Sequence, residues 1–401
     1  MSTDEEYLSR AIRLAMNGRG RVEPNPMVGC VLVKNGRVIG EGIHEKFGGP
    51  HAEPNALAAC IAAGESPAGA TAYVTLEPCC HLNKKTPPCA PQLIAANVKR
   101  VVIGCLDPNP AVNGAGVAML RTAGIAVDGP ILESRCKQLI APFLLSVNQH
   151  RPYVTLKWAE SANGMVAGRQ GAPVRITNPT SDRIVHELRG RCDAIAVGTN
   201  TVLSDDPLLS VRDAPALRPL LRVVLSNTLK IPLSSRLVQT ARQWPLLIFC
   251  SMSAAATLAN HVLQLRNAGA EVVAVAGHDS AHFSMEAVFR ELNNRGVTHL
   301  LVEPGPTLAR SMIERQQADR LWIFRSPQPI PEVDGLPAAR MHGVFSTSYV
   351  TTAEINLESD VLSELLNKQS AGFFAPVASA DATLAADEMI AAGASQRDIR
   401  H

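Results

Sequence analysis

The sequence predicts an α/β protein built from two domains. Strand-like apolar runs alternate with helical stretches along most of the chain. Near residues 145–152 one such series closes at Arg151-Pro152, and a second begins with Tyr153–Trp158. A length of 401 residues with 46% hydrophobic content is enough for two cores of ordinary size.

The elements follow in order. Thr3 and Glu6 form a capping box, Leu8, Ala11, Ile12 and Ala15 share a helical face, and Gly18 ends it. Val28–Lys34 and Arg37–Ile43 are strands joined by Asn35-Gly36, a strong hairpin signal. Glu53–Ala63 is Ala-rich and helical, Thr71–Leu76 and Arg100–Cys105 are buried strands, Val117–Ala123 is a helix and Ile125–Asp128 a strand. One helix is expected over Leu132–Val147. In the second series, strands are expected at Ala194–Val197, Arg222–Leu225, Leu246–Cys250, Val272–Ala276, His299–Val302 and Leu321–Phe324. Helices fall at Ser181–Arg189, Met285–Asn293 and Leu308–Gln316, so the sheet should be largely parallel. Beyond Ser370 the composition turns to Ala, Ser and Asp without periodicity. Residues 370–401 read as a mobile tail, with Asp381–Ala392 its one helix-like stretch.

Composition narrows the function classes. Lys and Arg number 38 against 36 Asp and Glu, a net charge of +2, which gives no reason to expect a nucleic-acid or membrane-surface partner. No apolar run approaches the roughly 18–20 residues of a membrane span, and the acidic start Met1–Glu6 is unlike a signal peptide. A cytoplasmic location is expected. Nine cysteines are too few for a disulfide scaffold of this length, and the odd count points to thiols or a metal.

Cys79, Cys80 and Cys89 cluster, and His51-Ala52-Glu53 opens a helix upstream. One imidazole and two thiolates, His51, Cys79 and Cys89, make three ligands for Zn²⁺ and leave a fourth position for water. Bound zinc lowers the pKa of that water, and a carboxylate at Glu53 stands where it can take its proton and pass it to a leaving amine. The plain alternative is a packed histidine at a helix end with buried thiols. His-x-Glu followed by Pro-Cys and a second Cys is the signature of zinc nucleobase deaminases. Here nine residues separate the two cysteines where the general pattern has two, and Cys80 is a competing ligand.

Four stretches carry a closer resemblance: Pro24-Asn25-Pro26-Met27-Val28-Gly29, the run from Gly42 through Gly48-Gly49-Pro50-His51-Ala52-Glu53, Thr75-Leu76-Glu77-Pro78-Cys79-Cys80-His81, and Lys84-Lys85-Thr86-Pro87-Pro88-Cys89. Over residues 1 to about 360 the chain resembles the bifunctional deaminase–reductases of riboflavin biosynthesis, the RibD proteins. The resemblance implies a cytidine-deaminase-like three-layer domain over 1–150, a dihydrofolate-reductase-like domain over 151–369 and the tail. It implies one zinc per chain, with the thiolate directly after the proline, Cys79, as ligand. Asn25 and His44 match positions lining the pyrimidine pocket, their alternatives being a turn-former between prolines and a surface histidine. Lys84, Lys85 and Thr86 would lie near a ribose phosphate.

In the second domain, Leu156–Gly164, Asp193–Pro207 with Arg212, and Val302–Ala309 match the family's signatures. Ala159, Thr201, Asp205, Gly305 and Thr307 are thereby assigned to NADPH, and Arg189, Arg212 and Glu303 to the substrate. Gly305 also suits close backbone approach, and Thr307 the start of a helix with free N–H groups. No G-x-G-x-x-G is present, and Gly114-Ala115-Gly116 reads as a loop. The departures are Asn163, Pro173, Arg175, Ser226-Asn227 and Pro304; Pro173 and Pro304 each remove an N–H.

The implied activity is hydrolytic deamination of a phosphoribosylated diaminopyrimidine, then NADPH-dependent reduction of the ribosyl group to ribityl, in a homodimer. One rival keeps the deaminase and makes the second domain a degenerate dimerisation module, which an NADPH titration tests. Another is an RNA-editing deaminase, disfavoured by balanced charge and an aromatic content of 4%. A structural zinc protein is disfavoured by the lack of an obvious fourth protein ligand.

Overall fold

Asn35 and Gly36 take φ values of 54° and 72° and join β1 (Gly29–Lys34) to β2 (Arg37–Ile43), with Lys34 opposite Arg37. The computed structural model describes residues 3–81, 86–168, 174–277, 279, 281–331, 335–338, 347–371 and 399–400. It divides into two units, the first running to Gln149 and the second starting at His150.

The first unit opens with α1 (Thr3–Ala15), whose Leu8, Ala11, Ile12 and Ala15 are buried. After the hairpin come α2 (Ala52–Ala62), β3 (Thr71–Val74), α3 (Cys89–Ala95), β4 (Arg100–Ile103), α4 (Ala115–Thr122) and β5 (Ala126–Asp128). The sheet order is β2-β1-β3-β4-β5, antiparallel through β2-β1-β3 and parallel from β3 onwards.

The single helix expected over Leu132–Val147 is two, α5 (Glu133–Leu139) and α6 (Ala141–Gln149). Pro142, in the first turn of α6, cannot donate the N–H that would continue the ladder through Ile140. Gly114-Ala115-Gly116 is likewise not a loop. Gly114, at φ 88°, is the N-cap of α4, and the next two residues begin the helix. Cys89, expected as the end of a loop, is the first residue of α3.

The second unit comprises β6 (Tyr153–Glu160), β7 (Met165–Ala167), α7 (Pro179–Arg191), β8 (Ala194–Gly198), α8 (Thr199–Asp205), β9 (Leu221–Ser226), α9 (Arg236–Gln239) and β10 (Leu246–Ser251). These continue into α10 (Met252–Thr257), α11 (Ala259–Asn267), β11 (Glu271–Val275), α12 (Met285–Asn294), β12 (His299–Val302), α13 (Pro306–Glu314) and β13 (Arg320–Arg325). Short β14 (Leu336–Pro337), then β15 (Tyr349–Leu357) and β16 (Asp360–Asn367), close the series.

The main sheet runs β11-β10-β9-β8-β12-β6-β13-β16-β15, parallel as far as β13 and antiparallel beyond it. Successive residues of β8 enter opposite cores, Ala194 and Ala196 on one face and Ile195 and Val197 on the other, as a strand covered on both sides requires. The β15–β16 hairpin was not expected, since no element was assigned between Phe324 and Ser370. The expected tail begins inside an ordered element, since Ser370 is buried in a short helix over Lys368–Ala371 and donates to Asp319. The rest of it, including Asp381–Ala392, lies outside the described residues, except that Ile399–Arg400 pair with β15. Among the described residues no helix is long and apolar enough to cross a membrane.

Candidate metal centre and reductase cleft

The metal centre forms where two helices begin. His51 is the N-cap of α2, Glu53 lies in the first turn of that helix, and Cys89 opens α3. Helix α2 rides directly on β2 because that strand lacks side chains beneath it. A Cβ at Gly42 would lie 2.2 Å from the Ala56 nitrogen, and one at Gly40 would lie 2.5 Å from the Ala56 oxygen. Cys79 sits on the turn after β3, tied to α3 by the Ala90 N–H donating to its carbonyl at 3.1 Å.

Both thiols converge on one imidazole nitrogen. Cys79 Sγ is 3.6 Å and Cys89 Sγ 3.4 Å from His51 Nδ1, and the three ligand atoms lie within 4.8 Å of one another. Cys80 is outside this group. Thr86 Oγ1 lies 3.4 Å from His51 Nε2, on the ring's other side, whereas Lys84 and Lys85 fall outside the described residues.

Glu53 is 2% exposed, and its Oε2 has no hydrogen-bond partner among the described residues. Burial pushes its carboxyl up to about 7, Cys79 adds to the rise and His51 opposes it. The Cys89 thiol is held far above its ordinary value by its hydrogen bond to Cys79, by burial and by Glu53. Two crowded thiols and one imidazole nitrogen, all within 4.8 Å of one another, are a donor set that a divalent cation completes, and the buried Glu53 carboxylate is not part of it. The residues therefore fit zinc, with His51, Cys79 and Cys89 as ligands and a fourth position open.

His44 is buried at 2% exposure, which excludes the surface alternative. Its Nδ1 donates to the Pro50 carbonyl at 2.8 Å, so Nε2 accepts from the Asn25 amide at 3.0 Å. That arrangement leaves Asn25 Oδ1 as an acceptor for a ligand, and the His44 ring lies edge-on to His51 with centroids 5.2 Å apart.

Sequence reasoning missed Glu77. This 2%-exposed carboxylate accepts from the backbone N–H groups of Asp107 at 3.2 Å, Gly114 at 2.8 Å and Val117 at 3.1 Å. It caps α4 in place of the side chain that Gly114 lacks. Gly116 lets the Pro78 carbonyl approach so closely that a Cβ would lie 2.0 Å from it. The position of Glu77 two residues before Cys79 carried no signal of this role, because its partners are backbone N–H groups 30 to 40 positions away.

In the second unit the assigned residues gather at the carboxyl ends of adjacent parallel strands, where open α/β sheets bind ligands. Ala159 is near the end of β6, Thr201 follows β8 in α8, and Glu303 follows β12. Gly305 is the N-cap of α13, which starts at Pro306 rather than at Thr307. A Cβ at Gly305 would meet Thr201 Oγ1 at 3.7 Å and one at Gly198 would meet Leu308 Cδ2 at 3.7 Å, so the turns after β8 and β12 stand within van der Waals reach of each other. Asp205 is exposed, its Oδ1 accepting from Ser204 Oγ, while Asp206 accepts from the Arg236 N–H at the start of α9.

Arg189 and Glu303, both assigned to substrate, are paired with each other. Nε and Nη2 donate to the two carboxylate oxygens at 2.8 Å each, and Nη1 donates to the Ser210 carbonyl at 3.2 Å. Burial raises the Glu303 carboxyl, but Arg189 and Lys157 outweigh it and hold it down at about 2. Arg212 is exposed. Asn163 donates to the Ile330 carbonyl at 2.7 Å and accepts from its N–H at 3.1 Å, a double role no aspartate plays. Pro173 lies outside the described residues.

Three protein ligands with an open position and a buried carboxylate beside them define a zinc-dependent deaminase, here joined to a doubly wound second unit. A model of the cytidine and deoxycytidylate deaminase zinc-binding region matches residues 1–105, and one of the RibD C-terminal domain matches residues 152–330. The riboflavin biosynthesis protein RibD of Aquifex aeolicus is 38% identical over 329 residues, covering 82% of this chain and 88% of its own. A Thermotoga maritima structure described as a diaminohydroxyphosphoribosylaminopyrimidine deaminase/5-amino-6-(5-phosphoribosylamino)uracil reductase superposes with a TM-score of 0.77 at 34% identity, over 91% of this chain and 99% of that one. Acinetobacter baumannii RibD, form 1, gives 0.77 at 31% identity with the same coverage. The chain belongs to the RibD family of riboflavin biosynthesis.

Proposed function

We propose that the first unit deaminates a phosphoribosylated diaminopyrimidinone and that the second reduces the ribosyl group of the product to ribityl with NADPH. The observation that carries the first step is the orphaned Glu53 Oε2 beside three converging ligands. Zinc, when bound by His51, Cys79 and Cys89, supplies the positive charge that acidifies an attacking water. Glu53 takes a proton from that water and delivers it to the leaving amine, a role suited to a buried carboxylate whose Oε2 has no other hydrogen-bond partner among the described residues. Asn25 Oδ1 accepts from the pyrimidine edge, and His44 holds the Asn25 amide in that orientation.

For the second step, NADPH when bound supplies the hydride. The free N–H groups at the start of α13, with Gly305 and Thr307, would receive its phosphates. Ala159, Thr201 and Asp205 would line the rest of the cofactor cleft. Arg212 would meet the substrate phosphate, and Arg189 with Glu303 would form the adjoining wall. A homodimer belongs to the same reading by analogy of fold, as does a reducing, cytoplasmic setting for nine free thiols. Incubation with the pyrimidine substrate, with and without NADPH, tests both steps by product identity. Deamination without any NADPH binding or consumption would leave only the first.

A further inference from the structure

Arg212 is exposed, and its guanidinium makes no hydrogen bond or ion pair with the described residues, so something other than its side chain fixes its position. The fixing comes from α7. His186 and Arg189, three residues apart on one face of that helix, both reach the segment that carries Arg212. His186 Nδ1 accepts the backbone N–H of Arg212 at 3.1 Å, and Arg189 Nη1 donates to the Ser210 carbonyl at 3.2 Å. Arg189 is itself locked to Glu303, which follows β12. The segment is thereby clamped through α7 to the turn that leads into Gly305.

We infer that His186 is a positioning residue of the reductase cleft, holding Arg212 where its guanidinium meets the substrate phosphate. The ring has to be neutral to do this, since Nδ1 is the acceptor and the proton sits on Nε2. The surroundings enforce that state. His186 is 8% exposed, and burial, then Arg189 and Arg212, lower its pKa against the opposing pull of Glu303 and Asp213. A ring serving only to fill space needs no acceptor aimed at one backbone N–H.

The inference rests on the reading of Arg212 as a phosphate ligand, and the test separates the two. KM and kcat for reduction are measured with the phosphorylated substrate and its dephosphorylated counterpart in wild type, His186→Ala, His186→Asn and Arg212→Ala. Affinity for the deaminated phosphorylated compound is measured alongside by calorimetry, and deamination in the first unit serves as the folding control. His186→Ala should raise KM, or the dissociation constant, roughly tenfold for the phosphorylated compound only, the scale of one buried hydrogen bond. The kcat should stay within about twofold, and deamination should not change. His186→Asn, whose Oδ1 can accept the same N–H, should recover most of the loss. An Arg212→Ala penalty without a His186→Ala penalty overturns the positioning role. So does equal damage by Ala and Asn that falls on kcat and on both substrates. No Arg212→Ala penalty on the phosphorylated compound would overturn the phosphate reading itself.

Discussion

Replacing Glu77 with glutamine should loosen the platform behind the metal centre. The wild-type carboxylate accepts three backbone N–H groups, two on Oε2 and one on Oε1, at 2.8–3.2 Å and 2% exposure. Glutamine keeps one acceptor oxygen and turns an NH₂ group towards donors. At least one charge-assisted bond is lost, at about 1.5–3 kcal/mol, and a buried donor is left facing another donor. The combined cost should be about 2–4 kcal/mol. It should appear in chemical denaturation as a shift of the first unit's transition, with that of the second unit unmoved. Cys79 and Cys89 pack with Val112, on the segment Glu77 holds, so zinc should also pass faster to a competing chelator. A shift below about 0.5 kcal/mol, the range of an ordinary surface substitution, would refute the reasoning.

Cys79→Ser and Cys89→Ser should each lose zinc in metal analysis, whereas Cys80→Ser should retain it; the reverse pattern would put the ligand register one residue away. Gly116→Ala should destabilise the first unit by about 1–3 kcal/mol, because its Cβ would stand 2.0 Å from the Pro78 carbonyl oxygen. Glu303 has a folded pKa depressed from 4.5 to about 2, so its contribution is fully present above about pH 4.5 and is lost as pH falls through about 2. Wild type should therefore lose about 3 kcal/mol more than Glu303→Gln between pH 5 and pH 2, measured on the second unit's unfolding. Pro304→Ala restores an N–H beside the expected pyrophosphate and should tighten NADPH binding by roughly tenfold, read by fluorescence titration; no change would argue against that placement.

The legible parts of the fold were those with local causes. Asn35-Gly36 specified a hairpin because its two residues tolerate positive φ, and the parallel strands stood out as continuous apolar runs because helices cover both faces. The two-helix break at Ile140 was hidden because α5 and α6 continue one apolar periodicity and only Pro142 marks the interruption. The β15–β16 hairpin lacks a turn dipeptide of the Asn-Gly kind, having Glu358-Ser359 at its tip with Glu358 at φ 58°. At the metal centre, His51, Cys79 and Cys89 were readable because ligand chemistry restricts residue type. Glu77 and His186 were not, because their partners are backbone N–H groups distant in sequence, which any residue supplies. The Arg189–Glu303 pair spans 114 positions, and neither side chain announces the other.

The account turns on Glu53 as the proton carrier beside zinc, and its most direct test is the deamination rate of Glu53→Gln prepared with a full complement of zinc. Glutamine keeps the size of the side chain and leaves His51, Cys79 and Cys89 intact, so one zinc per chain should remain. The rate should fall at least about a hundredfold, the usual scale of a general acid–base group. Turnover close to wild type in the zinc-replete variant would contradict the mechanism.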